Sequence, residues 1–415
     1  MASSFSTKLR IAYNVVFAPG FFDAMAGRFA FVPSLVSLPT AAPAESGTTF
    51  ADLRGALHNH STYSDGLSDI PTIMDAGAEA GVDFVLLADH NTMEPLRDGW
   101  QERYAESSPF LLVGTEVTVN NGRFLLALDV PPEYEPEKEV SAQSGIDAIR
   151  AHGGFPLISL PFDMKHPFDD WSVSGYDGLE VLNFSTTARR HINFLSLPII
   201  VYLQKTQGIA AVIRWMATRP DAAIARWDSL TRGGKRQVVG IGSLDAHAQM
   251  KMFGRKYPIP TYTDSFRACQ THVLIDVGIT GAARIAAVNA ALRAGRCYFS
   301  YDCLGDPTGF TFAATNIASG AVVPMGERLA AHGGEKVRFA ASATKACGEK
   351  VLLRLYKDGK PVASSVGGTL EVTVSGDAGA YRIEAFLFAG RVGAFFYGVR
   401  PWVYSNPVYV SEISR

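Results

Sequence analysis

The chain has 415 residues, of which 47% are apolar and 19% are charged, and its formal net charge is -2. This composition is typical of a packed globular protein and excludes an intrinsically disordered chain, and the length predicts two domains. The near-zero net charge gives no specific signal for nucleic-acid binding, although a local basic pocket is compatible with it.

Residues 1–50 are predicted to form an apolar N-terminal segment and linker. Two basic residues precede an apolar run over 11–22, which is the layout of a signal peptide. A second apolar run follows at 29–38, and neither run reaches the ~20 residues that cross a bilayer. A signal peptide, an anchor in peripheral contact with a membrane and segments packed on the protein are three open interpretations. The protein is expected to be cytoplasmic, or exported or membrane-peripheral if residues 1–26 act as a signal.

Residues 51–305 alternate between short apolar runs and helical patterns. The runs that predict strands are 84–88, 111–113, 155–160, 179–182 and 238–242, and those that predict helices are 71–80 and 146–151. Pro71 in the first turn and Gly81 after the last residue are typical boundaries of the first helix. Alternating strands and helices predict a parallel α/β sheet or barrel. Polar residues repeatedly follow these strands, at the edge where α/β barrels build their sites.

Residues 192–227 form a longer insertion with a mostly helical pattern. Its strongly apolar stretch, 192–203, is interrupted by Pro198. We interpret this stretch as a buried helix of the main core, and a lid or a membrane-touching helix is the alternative.

Residues 306–415 show a different pattern, with short strands separated by turn signals. The runs 351–356 and 381–386 predict strands, and Lys357-Asp358-Gly359-Lys360 predicts a hairpin turn. Strands at this spacing predict a C-terminal antiparallel β-sandwich domain.

Histidine and carboxylate residues cluster after the predicted strands. The clusters comprise His58, His60, Asp65, His90, Glu116, Asp245 and His247. Residues two apart in an extended strand point to the same side, so His58 and His60 can reach one cation. Four of the nine histidines fall in these clusters, which together predict a metal site. The four cysteines form no C-x-x-C pair, so a zinc knuckle is not expected, and the redox compartment stays open.

Four segments resemble the motifs of a known superfamily. Leu57-His58-Asn59-His60-Ser61-Thr62-Tyr63-Ser64-Asp65-Gly66 resembles the first motif of the PHP superfamily, named for polymerase and histidinol phosphatase. Ala88-Asp89-His90-Asn91, Gly114-Thr115-Glu116 and Gly242-Ser243-Leu244-Asp245-Ala246-His247 resemble later motifs, in the family order. Residues 295–298 and 404–410 are similar to a bacterial branch of carbaryl-hydrolase-like metallohydrolases, in which a PHP barrel precedes a carboxyl-terminal β domain.

This resemblance implies a distorted seven-stranded (β/α) barrel over 51–305, followed by the β-sandwich of 306–415, and up to three metal ions. One ion would be held by His58, His60, Glu116 and Asp245. A second would be held by Asp65, His90 and His247, and Glu116 would bridge to a further position. Asp245 and Glu116 are the candidate catalytic residues.

Two departures from the family pattern lower the expected content to one or two divalent ions per chain. Arg123 and Leu160 stand where the family usually has histidines. His166 is either a replacement ligand, through loop rearrangement, or a substrate-binding group. Arg123 either holds a phosphate or carboxylate oxygen or is a solvated turn residue. Asn183, which follows a strand, either binds substrate or is a turn residue.

Mixed histidine and carboxylate ligands suit zinc, manganese or iron. Because no serine or cysteine nucleophile with a neighbouring base is evident, attack by a metal-bound hydroxide is the simplest mechanism. The superfamily resemblance implies a phosphoesterase acting on a small-molecule ester. The branch resemblance favours hydrolysis of a carboxylic or carbamic ester or an amide. The missing ligands leave a third alternative, a degenerate barrel that binds a ligand or partner without catalysis.

Overall fold

The computed structural model describes residues 50–252, 255–343 and 350–413, and residues 8, 10, 12–14, 16 and 18–31 of the N-terminal segment. The predicted linker at 40–47 and most of the apolar run at 29–38 lie outside these residues. The described chain is a mixed α/β protein with several β-sheets. The α-helices whose two ends both lie among the described residues are Pro19–Ala26, Ile70–Ala80, Glu94–Arg97, Trp100–Arg103, Ala142–Ala151, Phe184–His191, Ser196–Gln207, Ile209–Met216, Asp221–Thr231, Tyr262–Phe266 and Ala283–Ala294.

Two sheets carry the strands that lead to the predicted site. In the first, the parallel neighbours are Phe50–Asn59, Phe84–Leu87 and Phe110–Val113. In the second, the order is Thr115–Val119, Arg123–Leu128, Phe155–Ser159, Gly178–Asn183 and Val239–Ser243, and the last three are parallel. The five predicted strands are confirmed within one residue at each end. The hairpin formed by the first two strands of the second sheet has no counterpart in the sequence prediction.

Backbone hydrogen bonds connect the first sheet to the second at both edges of the second sheet. At one edge the N–H of Gly114 donates to the carbonyl of Leu87, at 2.9 Å. At the other edge the N–H of Leu244 donates to the carbonyl of Leu57, at 3.0 Å, and that of Ala246 to His58. The chain segments that follow the parallel strands are therefore held side by side.

The helix Ile70–Ala80 shows how local sequence fixes an element beside the site. Asp69 caps the helix by accepting a hydrogen bond from the N–H of Thr72, and Pro71 lies in the first turn. Gly81 ends the helix with a φ of 77°, a left-handed conformation that favours glycine. Ile70, Ile73 and other apolar side chains of one face are buried, so the predicted helix is confirmed.

The helix Ser196–Gln207 corrects the interpretation of the apolar stretch 192–203. The stretch was expected to be a buried core helix, but only Ser196 of this helix is buried. Val201 and Tyr202 are 44% and 62% exposed. Pro198 lies in the first turn, where no N–H is needed, so the helix continues past it at the surface. No helix among the described residues is long and apolar enough to cross a membrane.

The carboxyl-terminal part of the chain is mostly antiparallel β-structure. One four-stranded sheet has the order Val322–Pro324, Thr311–Asn316, Lys336–Ser342 and Thr369–Ser375. The predicted hairpin is confirmed, because Lys350–Lys357 pairs with Lys360–Val366. One pair corrects the antiparallel expectation: Arg328–His332 runs parallel to Val408–Ile413. Small two- and three-stranded sheets are formed by Met250–Met252 with Arg255–Tyr257, and by Phe29–Phe31, Phe395–Tyr397 and Gly390–Val392.

The first site-bearing sheet continues into this carboxyl-terminal part and has eleven strands. From Phe50–Asn59 it passes to Gln270–Asp276, Cys297–Ser300, Arg400–Ser405 and Gly379–Phe388, which pairs with Val408–Ile413 and Lys350–Lys357. Asn406 joins this sheet to the second one. Its side-chain oxygen accepts from the N–H of Gly240 at 2.8 Å, and its amide donates to the carbonyls of Gly240 and Cys297.

Candidate metal centre

The seven side chains predicted to bind metal converge at the carboxyl ends of the site-bearing strands. They are His58, His60, Asp65, His90, Glu116, Asp245 and His247. Asp65 has a side chain that is 57% exposed, whereas those of His58, His60 and Glu116 are 1% exposed or less. The group therefore extends from a buried floor to an open mouth.

The buried floor is formed by His58, His60, Asp245 and Glu116. The Nε2 atoms of His58 and His60 lie 3.1 Å apart. Oδ1 of Asp245 lies 3.4 Å from Nε2 of His60 and 3.9 Å from Nε2 of His58. Oε1 of Glu116 lies 3.3 Å from Nε2 of His58. His58, His60 and Asp245 form one group of candidate ligands, and Glu116 approaches this group through its contact with His58.

A second group lies toward the mouth. Nε2 of His247 lies 2.9 Å from Oδ1 of Asp65, and Nε2 of His90 lies 3.6 Å from the same oxygen. Nδ1 of His90 lies 3.1 Å from Oε2 of Glu116, and the ring of His60 stacks on His247 with centroids 4.1 Å apart. Glu116 thus lies between the two groups, with one oxygen toward each.

These donors fit divalent cations. Two imidazole nitrogens that face each other at 3.1 Å repel unless a proton or a cation lies between them. Ligand atoms ~2.0–2.1 Å from a tetrahedral zinc ion are separated by roughly 3.3 Å, which is close to the spacings of the buried floor.

Glu180 contacts His58 at the buried floor of the site and was not predicted as a site residue. Its Oε1 lies 2.6 Å from Nδ1 of His58, on the ring nitrogen opposite to the one that approaches His60. Its Oε2 accepts hydrogen bonds from Ser159 and from the N–H of Leu160. A carboxylate in this position fixes the histidine tautomer with Nε2 free to bind a metal. The signal in the sequence was an acidic residue inside an otherwise apolar strand, Gly178–Asn183.

Two other supporting groups were also missed. Arg189 donates from one guanidinium nitrogen to Asp163, at 2.7 Å, and from another to Oδ2 of Asp245, at 3.0 Å. Asp89 is buried and accepts from the N–H and hydroxyl of Ser61 and from the hydroxyl of Ser64. Asp89 therefore stabilises the turn that carries Asp65. Arg189 fixes the position of the Asp245 carboxylate through Oδ2.

The electrostatics of the site favour a neutral His60 and ionised carboxylates, whereas the effect of burial is outweighed by neighbouring carboxylates, which raise the pKa values of His58, His90 and His247. Burial, together with the nearby charge of His247, lowers the pKa of His60 to about 4, so this imidazole is neutral at pH 7. Burial would raise the pKa of Asp245, but the charges of His247 and Arg189 hold it well below its usual range. The hydrogen bond from His247 likewise outweighs burial and lowers the pKa of Asp65 to about 2. Ionised carboxylates beside a neutral imidazole are the protonation states that bind metal.

The backbone of the site is strained. His58 and Asp245 have φ values of 64° and 51°, and Leu160 and Asn91 have φ values of 48° and 52°. Non-glycine residues rarely adopt this left-handed region, and such strain persists where the surrounding structure enforces it, often at functional sites.

The remaining predicted site residues lie around this centre. Arg123 is the first residue of a strand, and its guanidinium binds Asp169, away from the ligand atoms. The ring of Phe124, the next residue, lies 5.6 Å from that of His90 and 5.3 Å from that of His166. Leu160 is buried and supplies no ligand. His166 belongs to neither cluster of candidate ligands found among the described residues.

Asn183 is also placed at the site, but its side chain is already engaged. Its oxygen caps the helix Phe184–His191 by accepting from the N–H of Thr186. Its amide donates to Glu180 and to the hydroxyl of Ser243. A contact between Asn183 and a substrate would have to replace one of these bonds, and substrate binding by Asn183 and Arg123 stays a prediction.

His152 and His272 lie outside the centre. His152 is exposed, and its Nδ1 bonds to the carbonyl of Ala148. His272 is buried between two carboxylates, with Nδ1 2.9 Å from Asp52 and Nε2 3.0 Å from Asp302. Burial disfavours the charged imidazole, but these carboxylates outweigh it and raise the pKa of His272 to about 10.

Comparison with known proteins gives matches only among solved structures. No family model and no curated protein match the sequence. The fold is similar to a two-domain protein from Bacteroides vulgatus that contains a predicted PHP-like metal-dependent phosphoesterase (13% identity, 87% of this chain and 96% of that one, TM-score 0.41). A protein from Bifidobacterium adolescentis described as a metal-dependent phosphoesterase covers 48% of this chain and 88% of its own (16% identity, TM-score 0.32). An amidohydrolase from Chromobacterium violaceum, with sulfate and no metal, covers 50% and 92% (14% identity, TM-score 0.31).

Proposed function

We propose that the chain is a metal-dependent hydrolase and that its substrate is a phosphate ester. The convergence of two ligand groups that share His60 and flank Glu116 supports this proposal most strongly. A divalent zinc, manganese or iron ion held there would lower the pKa of a bound water from ~15.7 toward ~7 and polarise the scissile ester. We also propose that the site-bearing strands form the distorted barrel implied by the PHP resemblance.

The chain's own residues complete this chemistry. His58, His60, Glu116 and Asp245 would hold one ion, and Asp65, His90 and His247 a second. Asp245 is ionised and is held by Arg189 through Oδ2, so Oδ1 is the oxygen that would bind the ion, and a charged ligand there could also orient a reacting water. The side chain of Arg189 is 35% exposed beside Asp245 and offers positive charge to an anionic substrate at the mouth.

The test is a hydrolysis panel on the purified full chain loaded with zinc, manganese or iron. The panel contains p-nitrophenyl phosphate, bis-p-nitrophenyl phosphate, p-nitrophenyl acetate and a naphthyl carbamate. We expect metal-dependent cleavage of a phosphate ester, which is lost when a chelator removes the ion. Cleavage of the acetate or carbamate alone would favour the carboxylic-ester alternative. Tight metal binding without turnover of any substrate would favour the non-catalytic alternative.

A further inference from the structure

The exposed aromatic side chains of this protein are concentrated in three segments. All seven exposed Phe and Tyr residues of the described chain lie within residues 13–29, 194–202 and 395–397. Phe194, for example, is 78% exposed, and Tyr202 is 62% exposed. Single exposed apolar side chains are normal in a soluble protein, whereas a concentration of aromatic side chains indicates an interaction surface.

Contacts within the chain bring the three segments together. The helix Pro19–Ala26 packs on Phe184–His191, where Asp23 forms an ion pair with Arg190 at 2.5 Å. Phe194 follows that helix after two residues. The strand Phe29–Phe31 pairs with Phe395–Tyr397, and the ring of Phe29 stacks on that of Phe395. We call the exposed apolar side chains of these segments the aromatic face.

The aromatic face has the alternation of a sheet that is covered on one side only. Phe29 pairs with Tyr397, and Phe395 lies two residues before Tyr397, so the three side chains share one side of the small sheet. These side chains are 40–56% exposed. Phe396, between them, points to the other side and is only 3% exposed, in contact with the core. The exposed side is therefore unpartnered within the described chain.

The charges around the aromatic face are strongly biased. Together with their flanking residues, the three segments (8–29, 194–207 and 390–400) contain six Lys or Arg residues and one acidic residue, whereas the whole chain has a net charge of -2. The single acid, Asp23, is already paired with Arg190. A basic surface with exposed aromatic side chains is complementary to an anionic lipid surface, because the cations attract the headgroups while the rings enter the interface.

We propose that the aromatic face docks this protein on the surface of an anionic lipid bilayer. The interaction is peripheral and lies beside the site, because the helix Phe184–His191 carries both Arg190 at this face and Arg189 at the metal centre. The proposal does not depend on the substrate of that centre.

Sedimentation with vesicles tests the proposal on the full chain. Vesicles of equal parts phosphatidylcholine and phosphatidylglycerol should bind the protein, high salt should weaken the binding, and phosphatidylcholine alone should bind it much less. Phe194→Ser combined with Tyr202→Ser should weaken binding by roughly tenfold or more, because these two rings are the most exposed of the aromatic face. Phe395→Ser alone should give a smaller loss in the same direction.

Matched controls keep the result specific. Ile317 and Val322 are 49% and 62% exposed but lie outside the aromatic face, so Ile317→Ser combined with Val322→Ser should bind vesicles like the wild type. Circular dichroism and a thermal melt should show that every variant is folded. The proposal is overturned if the wild type binds neither vesicle, if it binds both equally, or if both double variants behave alike. It is also overturned if Phe194→Ser with Tyr202→Ser instead dissociates a dimer in analytical ultracentrifugation without changing lipid binding.

Discussion

Oε1 of Glu180 lies 2.6 Å from Nδ1 of His58, while Nε2 of the same ring faces His60 at 3.1 Å. The carboxylate and the opposite imidazole nitrogen therefore act on one ring from its two ends. Because both residues are fully buried, water cannot substitute for either contact. We therefore expect metal binding by His58 to depend on Glu180, a residue outside the predicted ligand set.

Replacing Glu180 by Gln should weaken metal binding without removing a ligand. The amide keeps the size of the carboxylate but no longer fixes the tautomer of His58, so we expect a metal affinity roughly 10- to 100-fold lower. Competition with a chromogenic chelator measures this affinity. Glu133→Gln, at an exposed position, is the matched control and should match the wild type. Wild-type affinity in Glu180→Gln would show that the contact is only structural.

Asp245→Asn should leave the fold intact and lower hydrolysis by on the order of 10²-fold or more. The substitution removes the charge of a buried ligand whose Oδ1 faces His60. Turnover of any substrate found in the panel, together with a thermal melt, checks both statements. His152→Ala, at an exposed residue outside the centre, should leave turnover nearly unchanged, and equal loss in both variants would refute the ligand assignment.

Tightly held metal should amount to one or two ions per chain. No third ion is expected, because Leu160 and Arg123 stand where the resemblance implies two histidines. Elemental analysis of anaerobically purified protein measures the content. Three ions per chain would contradict the prediction and direct attention to His166, whose replacement by Ala should then lower the content to two.

His272 should make stability depend on pH on the alkaline side. Its pKa is raised to about 10 in the folded state, above the ~6.5 of an unfolded histidine, so its charged form stabilises the fold fully below pH ~6.5. This contribution declines as the pH rises above ~6.5 and is lost as the pH passes through about 10. Urea unfolding at pH 6, 8 and 10 should show a smaller decline for His272→Gln than for the wild type. His152→Ala should follow the wild type, and parallel curves for all three proteins would exclude the effect.

A buried ion network should contribute strongly to stability. Arg382 donates to Asp228 at 2.7 and 2.8 Å and to Glu384, which also accepts two hydrogen bonds from Arg219. Glu384→Gln removes the buried charge that Arg219 and Arg382 share and leaves Arg382 with Asp228 alone, and we expect a loss of ~3 kcal/mol or more in the free energy of unfolding. Denaturant titration measures it. Glu371→Gln breaks a more exposed, longer pair with Arg338 and should cost less than ~1 kcal/mol.

Much of the site could be predicted because its residues follow strands in a fixed order. The spacing of His58 and His60 and the strand ends before His90 and Asp245 indicated convergence, and the seven ligands lie together. Glu180 and Arg189 were missed because their roles depend on pairing between distant strands and helices. Such pairing is not visible in local sequence periodicity.

The fold shows the same division between local and long-range information. The five strands predicted between residues 84 and 242 were placed within one residue at each end, because apolar runs and turn residues define them locally. The exposure of Val201 and Tyr202 was not predicted, because an apolar helix at the surface has the same sequence pattern as an apolar helix in the core. The parallel pairing of Arg328–His332 likewise depends on a strand about eighty residues later.

The hydrogen bonds of the Asn406 side chain have a consequence for any shortened form of this protein. They bind Gly240 and Cys297 from a residue in the last tenth of the chain. Gly240 lies in the strand Val239–Ser243, and Asp245 follows this strand. Asparagine presents one acceptor oxygen and one donor NH2 group at this distance from the backbone. Glutamine carries the same amide but places it one methylene farther away. A form of the chain that ends near residue 305 would therefore lose the contacts that hold this strand beside the candidate metal centre.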